Sequence, residues 1–388
     1  MKKKIAVLGS TGSLGKILLK LIQSDKKNFE IVLLTANENY NLLLKQAKFF
    51  NVKNIIVSDQ YKYELIKKKK INGINIYNNF NQLRHIFKKK KIDYVLSAIT
   101  GFHGLEPTFN IIKHTKKIAI ANKESIICGW SIIEKELKKN KTLFIPVDSE
   151  HFSIWSILNN KISNSNIEKI YLTASGGPFL NSNISNLKKV SIKKTLSHPT
   201  WRMGKKISVD SATMMNKVFE IIEAKKIFNI DYQKLEIIIH PKSYVHAIVK
   251  FENGLTKFLV HDPNMKIPIF NSLYNDPSFP IKTKKIDFDI LNSLNFKKAS
   301  SKRYPSLKIL KLLNNKESFF ETALLTINDF LVDKFLKKQI SFNDISIFLI
   351  KLISLKQFKN LTVKRPKNLK EIKKMYDYVS LKIQSLDI

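Results

Sequence analysis

The chain has 388 residues, of which 44% are hydrophobic and 26% charged, with one cysteine and a formal net charge of +37. The apolar fraction is too high for a wholly disordered chain, and the length suits two or three domains. The single cysteine, Cys128, excludes an intramolecular disulfide and a cysteine-based zinc site. No apolar run reaches the roughly 18 residues of a membrane span, so we expect a soluble, cytoplasmic, multi-domain protein.

The strong positive charge raises nucleic acid or an anionic membrane as a partner. Only four of the 68 basic residues are arginine, however, and the lysines are spread over the whole chain. Proteins that recognise nucleic acid favour arginine and localised basic patches. The dispersed lysine excess is more typical of an AT-rich coding bias. We therefore predict no nucleic-acid and no membrane partner, and keep a charge-driven binder as an alternative.

Residues 1–147 alternate short apolar segments with amphipathic stretches of helical length. This alternation predicts a doubly wound parallel sheet, that is, a Rossmann-like dinucleotide-binding domain. Three lysines near the start resemble a signal peptide, but only four apolar residues follow them, which is too few. The predicted strands are Ile5–Leu8, Ile31–Thr35, Asn54–Val57, Asp93–Ser97, Lys117–Ile120 and Thr142–Ile145.

The pattern changes after residue 147. Residues 148–270 predict an α+β domain, with a helix over Met214–Phe228 followed by closely spaced strands. Residues 271–300 show little periodicity and predict a linker, and residues 301–388 predict a C-terminal helical bundle. The predicted strands are Leu235–Ile239, Val245–Phe251 and Leu255–Val260, and the predicted C-terminal helices are 306–315, 317–338, 341–356 and 367–386.

A glycine-rich loop, Gly9–Gly15, follows the first predicted strand and opens a helix. Glycines there let backbone N–H groups approach a pyrophosphate at the positive end of the helix. The spacing is G-x-x-G-x-x-G instead of the commoner G-x-G-x-x-G, so a plain tight turn is the alternative. Asn122 and Glu124 follow the strand Lys117–Ile120 and are also placed to touch a ligand, although Asn122 equally fits a helix N-cap.

Two carboxylates, Asp148 and Glu150, follow the predicted strand that ends at Ile145. In an extended segment, side chains two residues apart point to the same side, so we expect both carboxylates to face one ligand. Two hard oxygen ligands with a third carboxylate would hold Mg²⁺ or Mn²⁺. The alternative is a capping box that opens a helix over Phe152–Leu158.

A candidate for the third carboxylate lies on the helix Met214–Phe228. At helical spacing Asn216 and Glu220 share a face and Lys217 adjoins it, which suits a phosphate and a metal side by side. A salt-bridged surface helix is the alternative, and Glu223 is a weaker rival for the carboxylate.

Two loops complete the set of motifs. Ser175 lies in a small-residue turn that could bind an oxyanion. The segment His198–Gly204 contains His198, Trp201 and Met203 between flexible ends, as a lid that excludes water would, although a single Trp is more often part of a core.

The motifs occur in one order: GSTGSLG, ANKES, PVDSEH, ASGGPF, HPTWRMGKKISVDSATMMNKVFE and IHPKSYVHA. In this order the chain resembles the 1-deoxy-D-xylulose 5-phosphate reductoisomerase family, from the first strand to the C-terminal helices. The resemblance implies an NADPH-binding domain, a catalytic domain with a flap and a helical C-terminal domain, assembled as a homodimer. It also implies conversion of 1-deoxy-D-xylulose 5-phosphate to 2-C-methyl-D-erythritol 4-phosphate in non-mevalonate isoprenoid biosynthesis, by metal-assisted rearrangement and then hydride transfer from NADPH.

The resemblance further implies the roles of individual residues. The implied metal ligands, for Mg²⁺ or Mn²⁺, are Asp148, Glu150 and Glu220. The implied catalytic residues are these three with Lys123 and His198. The implied substrate contacts are Lys123, Ser149, Glu150, Ser175, His198, Ser211, Asn216, Lys217 and Glu220. The implied cofactor contacts are Thr11, Gly12, Ser13, Leu14, Asn39, Asn122, Glu124 and Gly204, and the implied flap residues are Trp201 and Met203.

One departure from the family pattern concerns the cofactor. Asn37-Glu38-Asn39 stands where the family usually has Gly-Lys-Asn. A lysine would attract the 2′-phosphate of NADPH, whereas Glu38 would repel it and could accept a ribose hydroxyl, so the choice between NADPH and NADH stays open. The remaining alternatives are another nicotinamide-dependent dehydrogenase, which would not need three carboxylates, and a decayed enzyme.

Overall fold

The computed structural model describes residues 1–69, 71–87, 91–159, 166–201, 203–274 and 278–386. The strands are β1 (Lys3–Leu8), β2 (Phe29–Ala36), β3 (Asn54–Val57), β4 (Asn75–Tyr77), β5 (Tyr94–Ser97), β6 (Lys117–Ile120), β7 (Leu143–Pro146), β8 (Ile167–Ala174), β9 (Leu235–Ile239), β10 (Val245–Phe251), β11 (Thr256–Val260) and β12 (Lys297–Lys298).

The α-helices are α1 (Ser13–Gln23), α2 (Tyr40–Phe49), α3 (Gln60–Lys67), α4 (Leu83–Ile86), α5 (Leu105–Ile111), α6 (Lys123–Asn140), α7 (Ser149–Ile157), α8 (Ile192–Leu196), α9 (Lys205–Ala212), α10 (Met215–Phe228), α11 (Lys266–Tyr274), α12 (Phe288–Asn292), α13 (Phe320–Leu336), α14 (Phe342–Ile353), α15 (Lys356–Lys359) and α16 (Leu369–Gln384). Short 3₁₀ helices span Phe80–Gln82, Phe102–Gly104, Ile112–His114, Ile184–Lys189, Tyr232–Lys234, Pro305–Leu312 and Asn360–Val363.

The chain forms two compact units. The first contains residues 1–125, 132–148 and 265–282, and the second contains residues 126–131, 149–264 and 283–388. The division predicted from the sequence, with boundaries after residues 147, 270 and 300, stays a prediction. Its proposed linker includes the end of α11, all of α12 and β12, and residues 275–277, which lie outside the described residues.

The first unit is built on a parallel sheet with the strand order β4-β3-β2-β1-β5-β6-β7. The order reverses between β1 and β5, and in such sheets the crevice at the carboxyl ends of the strands binds ligands. Central strands of this sheet are buried on both faces, which explains their continuous apolar runs. The predicted doubly wound sheet is therefore confirmed. The analysis of the sequence missed β4, an edge strand of three residues with no apolar run.

The loop after β1 keeps the start of α1 open. Gly12 is the N-cap of α1, makes no side-chain capping bond, and no acidic residue lies in the first turn. A Cβ atom at Gly15 would lie 2.5 Å from the carbonyl oxygen of Gly9, so only glycine allows this close packing of helix and loop. Unpaired N–H groups at a helix start favour an anion, as the glycine spacing predicts.

Helix α11 completes the core of the first unit from a distant part of the chain. Ile269 and Leu273 are buried in the apolar cluster that also contains Val7 and Leu34. The hydroxyl of Tyr94, on β5, lies 2.8 Å from the hydroxyl oxygen of Ser272. Apolar burial and this buried hydrogen bond join segments separated by 178 residues.

The second unit contains a mixed sheet with the strand order β11-β10-β8-β9-β12. Strand β8 is parallel to β9 and antiparallel to β10, and β11 and β12 are antiparallel edge strands. Helices α7 and α10 pack on this sheet, and α13 packs against α14 and α16. The predicted α/β class, with a second sheet and C-terminal helices, is confirmed. No helix among the described residues is long and apolar enough to cross a membrane.

The predicted helix over 306–315 is instead the 3₁₀ helix Pro305–Leu312. Pro305 lies in the first turn of this helix, where its missing N–H group is tolerated. The other three predicted C-terminal helices correspond to α13, α14 and α16 with bounds changed by a few residues.

The packing of α11 gives a stability prediction. Leu273→Ala removes a buried side chain from the core of the first unit and should lower the free energy of unfolding by about 2–5 kcal/mol, because it leaves a cavity. Tyr61→Ala, at an exposed position on α3, is the matched control and should change it by less than about 0.5 kcal/mol. Denaturant unfolding followed by circular dichroism measures both, and equal midpoints for the two variants would contradict the packing role of α11.

Candidate active site

The acidic site starts where the chain enters α7. Asp148 is the last residue of the first unit, and Ser149, the first residue of the second unit, begins the helix. The expectation of an extended segment through Asp148 and Glu150 is wrong, because Glu150 lies in the first helical turn, where the positive end of the helix favours a carboxylate. The hydroxyl of Ser149 donates to Oε2 of Glu150 at 2.6 Å.

Helix α10 supplies the third carboxylate. The amide of Asn216 contacts Oε1 of Glu220, and Nζ of Lys217 contacts Oε2 of Glu220 and lies 2.9 Å from Oε1 of Glu150. The predicted shared face of Asn216, Lys217 and Glu220 is therefore confirmed. The alternative of a surface helix is wrong, because Lys217 is only 5% exposed and Glu220 only 2% exposed.

Three carboxylates come together at this point. Asp148, Glu150 and Glu220 each offer an oxygen atom, and these atoms lie within 4.8 Å of one another. Like charges this close are unfavourable unless cations compensate them. Lys217 supplies one positive charge, and Lys123 lies 3.4 Å from Oδ2 of Asp148. An oxygen-only donor set with negative charge in excess fits a hard divalent cation such as Mg²⁺.

A second group extends the acidic cluster. Ligand atoms of Asp148, His151 and Glu223 also lie within 4.8 Å of one another, and both His151 and Glu223 are buried. Nε2 of His151 lies 2.8 Å from the carbonyl oxygen of Glu220. The sequence reasoning named Glu223 only as a rival and did not select His151. The signal was present, since Glu220 and Glu223 are three residues apart on one helix.

The small-residue turn after β8 holds Ser175 beside His198. The hydroxyl of Ser175 lies 3.0 Å from Nε2 of His198, and the N–H of Gly177 donates to the same hydroxyl at 3.1 Å. Gly177 has φ +68°, and a Cβ atom there would lie 3.1 Å from the carbonyl oxygen of Ser211. The turn therefore lies directly against the end of α9, and Ser175 and Ser211 come from adjoining segments.

The hydrogen bonds of His198 define its protonation state. Nδ1 accepts the backbone N–H of Thr200 at 3.1 Å and that of Trp201 at 2.9 Å. Nδ1 is therefore unprotonated, and the ring proton lies on Nε2, which donates to Ser175. Burial lowers the pKa of His198 to about 4. The ring is a neutral hydrogen-bond donor at neutral pH.

The flap segment contacts His246, which in turn stacks on His261. The ring of Trp201 lies edge-on to His246, with centroids 6.2 Å apart, and His246 stacks on His261 with centroids 3.8 Å apart. Trp201 and Met203 are only partly buried, and residue 202 lies outside the described residues. The signal for His246 was its place in the motif IHPKSYVHA.

The predicted cofactor residues of the first unit lie at one edge of its sheet. They follow the carboxyl ends of parallel strands β1, β2 and β6, and they are Thr11, Gly12, Ser13, Leu14, Asn39, Asn122 and Glu124. Asn39 caps α2 and Asn122 caps α6, so the N-cap alternative for Asn122 is confirmed, and its contact with a cofactor stays a prediction. Glu38 is exposed after β2. Gly204 lies in the second unit as the N-cap of α9.

A doubly wound sheet with an open glycine loop, together with a partly buried carboxylate cluster, is typical of dinucleotide-dependent oxidoreductases that also use a metal. Family models agree: that of 1-deoxy-D-xylulose 5-phosphate reductoisomerase matches residues 5–129. Two models of the C-terminal domains of this enzyme match residues 144–228 and 261–379.

Curated relatives carry the same description. The reductoisomerase of Pelagibacter ubique (strain HTCC1062) is 58% identical over 388 residues, which is 100% of both chains. That of Wolbachia pipientis wMel is 41% identical and aligns with 88% of this chain and 87% of its own length.

Solved structures agree in fold. The reductoisomerase of Zymomonas mobilis in complex with NADPH has a TM-score of 0.85 and 28% identity over 100% of both chains. A reductoisomerase in complex with NADPH, fosmidomycin and magnesium has a TM-score of 0.88 and 29% identity, covering 99% of this chain and 98% of its own. The chain belongs to the 1-deoxy-D-xylulose 5-phosphate reductoisomerase family. The resemblance in the motifs is thereby confirmed, as is the prediction of an oxidoreductase.

The protonation state of His198 is testable. Because the pKa is lowered from its ordinary 6.5 to about 4, the unfolded chain binds more protons between these values. The hydrogen-bonded arrangement of the flap should therefore be stable above pH 6.5 and lose stability as the pH falls towards 4. Nitrogen-15 NMR of the histidine rings, with His198→Gln to assign the signal, should show a neutral ring with the proton on Nε2 at pH 6. A protonated ring at that pH would contradict the assignment.

Proposed function

We propose that this chain converts 1-deoxy-D-xylulose 5-phosphate to 2-C-methyl-D-erythritol 4-phosphate, with NADPH as the reductant and Mg²⁺ or Mn²⁺ as the metal. The observation that carries the proposal is the partly buried cluster of Asp148, Glu150 and Glu220 in a chain 58% identical to a reductoisomerase. A different nicotinamide-dependent dehydrogenase would have no need for three carboxylates at this place. The reaction belongs to non-mevalonate isoprenoid biosynthesis.

The three carboxylates would hold the metal ion. When bound, a divalent ion supplies Lewis-acid stabilisation of negative charge on substrate oxygens during the rearrangement. Lys123 adds positive charge beside Asp148 and is close enough to exchange a proton with a substrate hydroxyl held there. Lys217 keeps Glu150 and Glu220 together, which fixes the direction in which their oxygens point.

The phosphate of the substrate would be held by Ser175, His198, Ser211, Asn216 and Lys217. Two contacts between these residues support this assignment. The Ser175 turn lies against Ser211, and His198 is a neutral donor that is hydrogen-bonded to Ser175. Because Nε2–H of His198 and the N–H of Gly177 both donate to the hydroxyl oxygen of Ser175, the O–H of Ser175 is left to donate to a phosphate oxygen. Because Nδ1 of His198 also holds the backbone of Thr200 and Trp201, binding energy at the phosphate end would favour the ordered flap over the reacting carbons.

The cofactor would lie at the carboxyl edge of the first sheet. The open start of α1 suits the pyrophosphate, and Asn39, Asn122 and Glu124 follow neighbouring strands at the same edge. Gly204, Trp201 and Met203 are proposed contacts from the flap segment. Exclusion of water by this segment would protect the hydride transfer.

Assembly and location are proposed on the family resemblance. We propose a homodimer, and the exposed apolar side chains of the edge strand β11, Phe258 and Val260, are compatible with a protein contact. We also propose a cytoplasmic enzyme, which agrees with the presence of a single cysteine, Cys128, in the sequence.

Metal dependence tests the proposal. Purified protein with 1-deoxy-D-xylulose 5-phosphate, Mg²⁺ and NADPH should oxidise the nicotinamide, and EDTA should stop the reaction. Glu220→Gln should lower kcat by roughly 10²–10³-fold, because it removes a charged oxygen from the cluster. The matched control is Glu168→Gln, which changes a half-exposed carboxylate on β8 and should leave turnover unchanged. Folded wild-type protein without turnover, or full turnover in Glu220→Gln, would refute the proposal.

The effect of Glu38 is tested through the cofactor ratio. Glu38→Lys replaces a repulsive charge after β2 by an attractive one, so the ratio of kcat/KM for NADPH to that for NADH should rise about tenfold, equivalent to ~1.4 kcal/mol. Glu30→Lys is the matched control, since it makes the same charge change at the amino end of the same strand, away from the cofactor edge. Equal ratios in both variants would show that residue 38 does not face the 2′-phosphate.

A further inference from the structure

Helix α13 is joined to α9 by a buried hydrogen bond between side chains. The amide Nδ2 of Asn328, which is 0% exposed, donates to Oδ1 of Asp210 at 2.8 Å. Asp210 is 2% exposed, and its other oxygen accepts Nζ of Lys206 at 3.1 Å. Nζ of Lys206 also lies 3.1 Å from Oδ1 of Asp329. Two consecutive residues of α13 therefore hold two residues of α9.

Asp210 immediately precedes the segment that carries the proposed phosphate contacts. Ser211 is the next residue, and α9 ends at Ala212. Met214, with φ +67°, then turns the chain into α10. The N–H of Lys217 bonds to the carbonyl oxygen of Met214 at 3.1 Å, so the turn also fixes the first residues of α10. The position of Asp210 therefore affects the positions of Ser211, Asn216 and Lys217, because the stretch of chain that joins them is short and hydrogen-bonded.

We propose that Asn328 is a positioning residue: by fixing Asp210 it sets the place of Ser211 and of the start of α10, and so controls how well the phosphate of the substrate is bound. The inference rests on the proposed function and extends it to the C-terminal helices, which supply no proposed site residue. Asn328 acts through Asp210 and does not touch the substrate.

The chemistry of the pair explains why an amide is needed. A buried carboxylate is costly unless several donors satisfy it, and Asn328 supplies one donor while Lys206 supplies another. The carboxylate also fixes the amide orientation, since only Nδ2 can face Asp210. An aspartate at position 328 would place a second carboxylate directly against that of Asp210, and the two negative charges would repel each other. Loss of the bond leaves α9 free to shift, and a displacement of about 1 Å is enough to cost a well-positioned site much of its affinity.

An exchange of the two partners tests the proposal. Asn328→Asp and Asp210→Asn should each lower kcat/KM for 1-deoxy-D-xylulose 5-phosphate about tenfold, mainly through a higher KM. The double variant D210N/N328D restores a carboxylate–amide pair with the roles reversed, and should recover kcat/KM to within about threefold of the wild type. Thr326→Val is the matched control, because the buried hydroxyl of Thr326 donates within α13, to the carbonyl oxygen of Thr322 at 2.8 Å. It should leave both constants unchanged.

Two outcomes would overturn the inference: wild-type kinetics in both single variants, or a double variant whose losses simply multiply. Amide hydrogen exchange provides a readout that does not depend on turnover. Asn328→Asp should speed exchange in residues 205–217 at least tenfold and leave β8–β10 unchanged, and equal protection of 205–217 would contradict the coupling. If Asn328→Asp does not fold, Asn328→Ala takes its place in both measurements. An inactive wild type with this exchange pattern would refute the proposed function and keep the coupling.

Discussion

The acidic site depends on one electrostatic constraint. Its carboxylates are partly shielded from water, so nearby cations must compensate their negative charge. Glu220 is almost fully buried and lies within reach of Asp148 and Glu150, an arrangement that repels itself unless cations enter it. Lys217 is therefore structural as well as chemical: its ammonium group ties α7 to α10 through Glu150 and Glu220. Because Lys217 balances part of the negative charge, the carboxylates stay close together without strongly destabilising the fold. A metal-assisted reaction requires ligands that are already in place for the cation.

His198 likewise makes two different kinds of hydrogen bond with one side chain. One ring nitrogen accepts the backbone N–H groups of the flap segment and the other donates to Ser175, so one side chain links the flap segment to the turn after β8. Neither role requires the ring to carry charge. This explains how a histidine with a pKa of about 4 can be useful near neutral pH, where it neither titrates nor attracts counter-ions.

Periodicity and local motifs predicted the elements whose signal is contained in a short stretch of sequence. The strands Asn54–Val57 and Lys117–Ile120 have the predicted bounds because buried parallel strands are continuous apolar runs. The start of α7 was mistaken for extended chain because spacing of carboxylates cannot distinguish a strand end from a first helical turn. His151 and Asn328 were missed because their partners, Glu220 and Asp210, lie 69 and 118 residues away. Long-range polar pairs leave no periodic signal in a single sequence.

Helix α11 belongs to the first unit but follows residues 149–264 of the second unit in the sequence, which affects how the chain folds during synthesis. Ile269 and Leu273 fill the core beneath a sheet whose last strand ends at Pro146, so more than a hundred residues of the second unit are synthesised before that core is complete. The first unit therefore cannot complete its core until α11 has been synthesised, and part of its apolar surface stays uncovered until then. The order of synthesis therefore links maturation of the two units, and a fragment that stops at residue 148 would lack the helix that closes its own core.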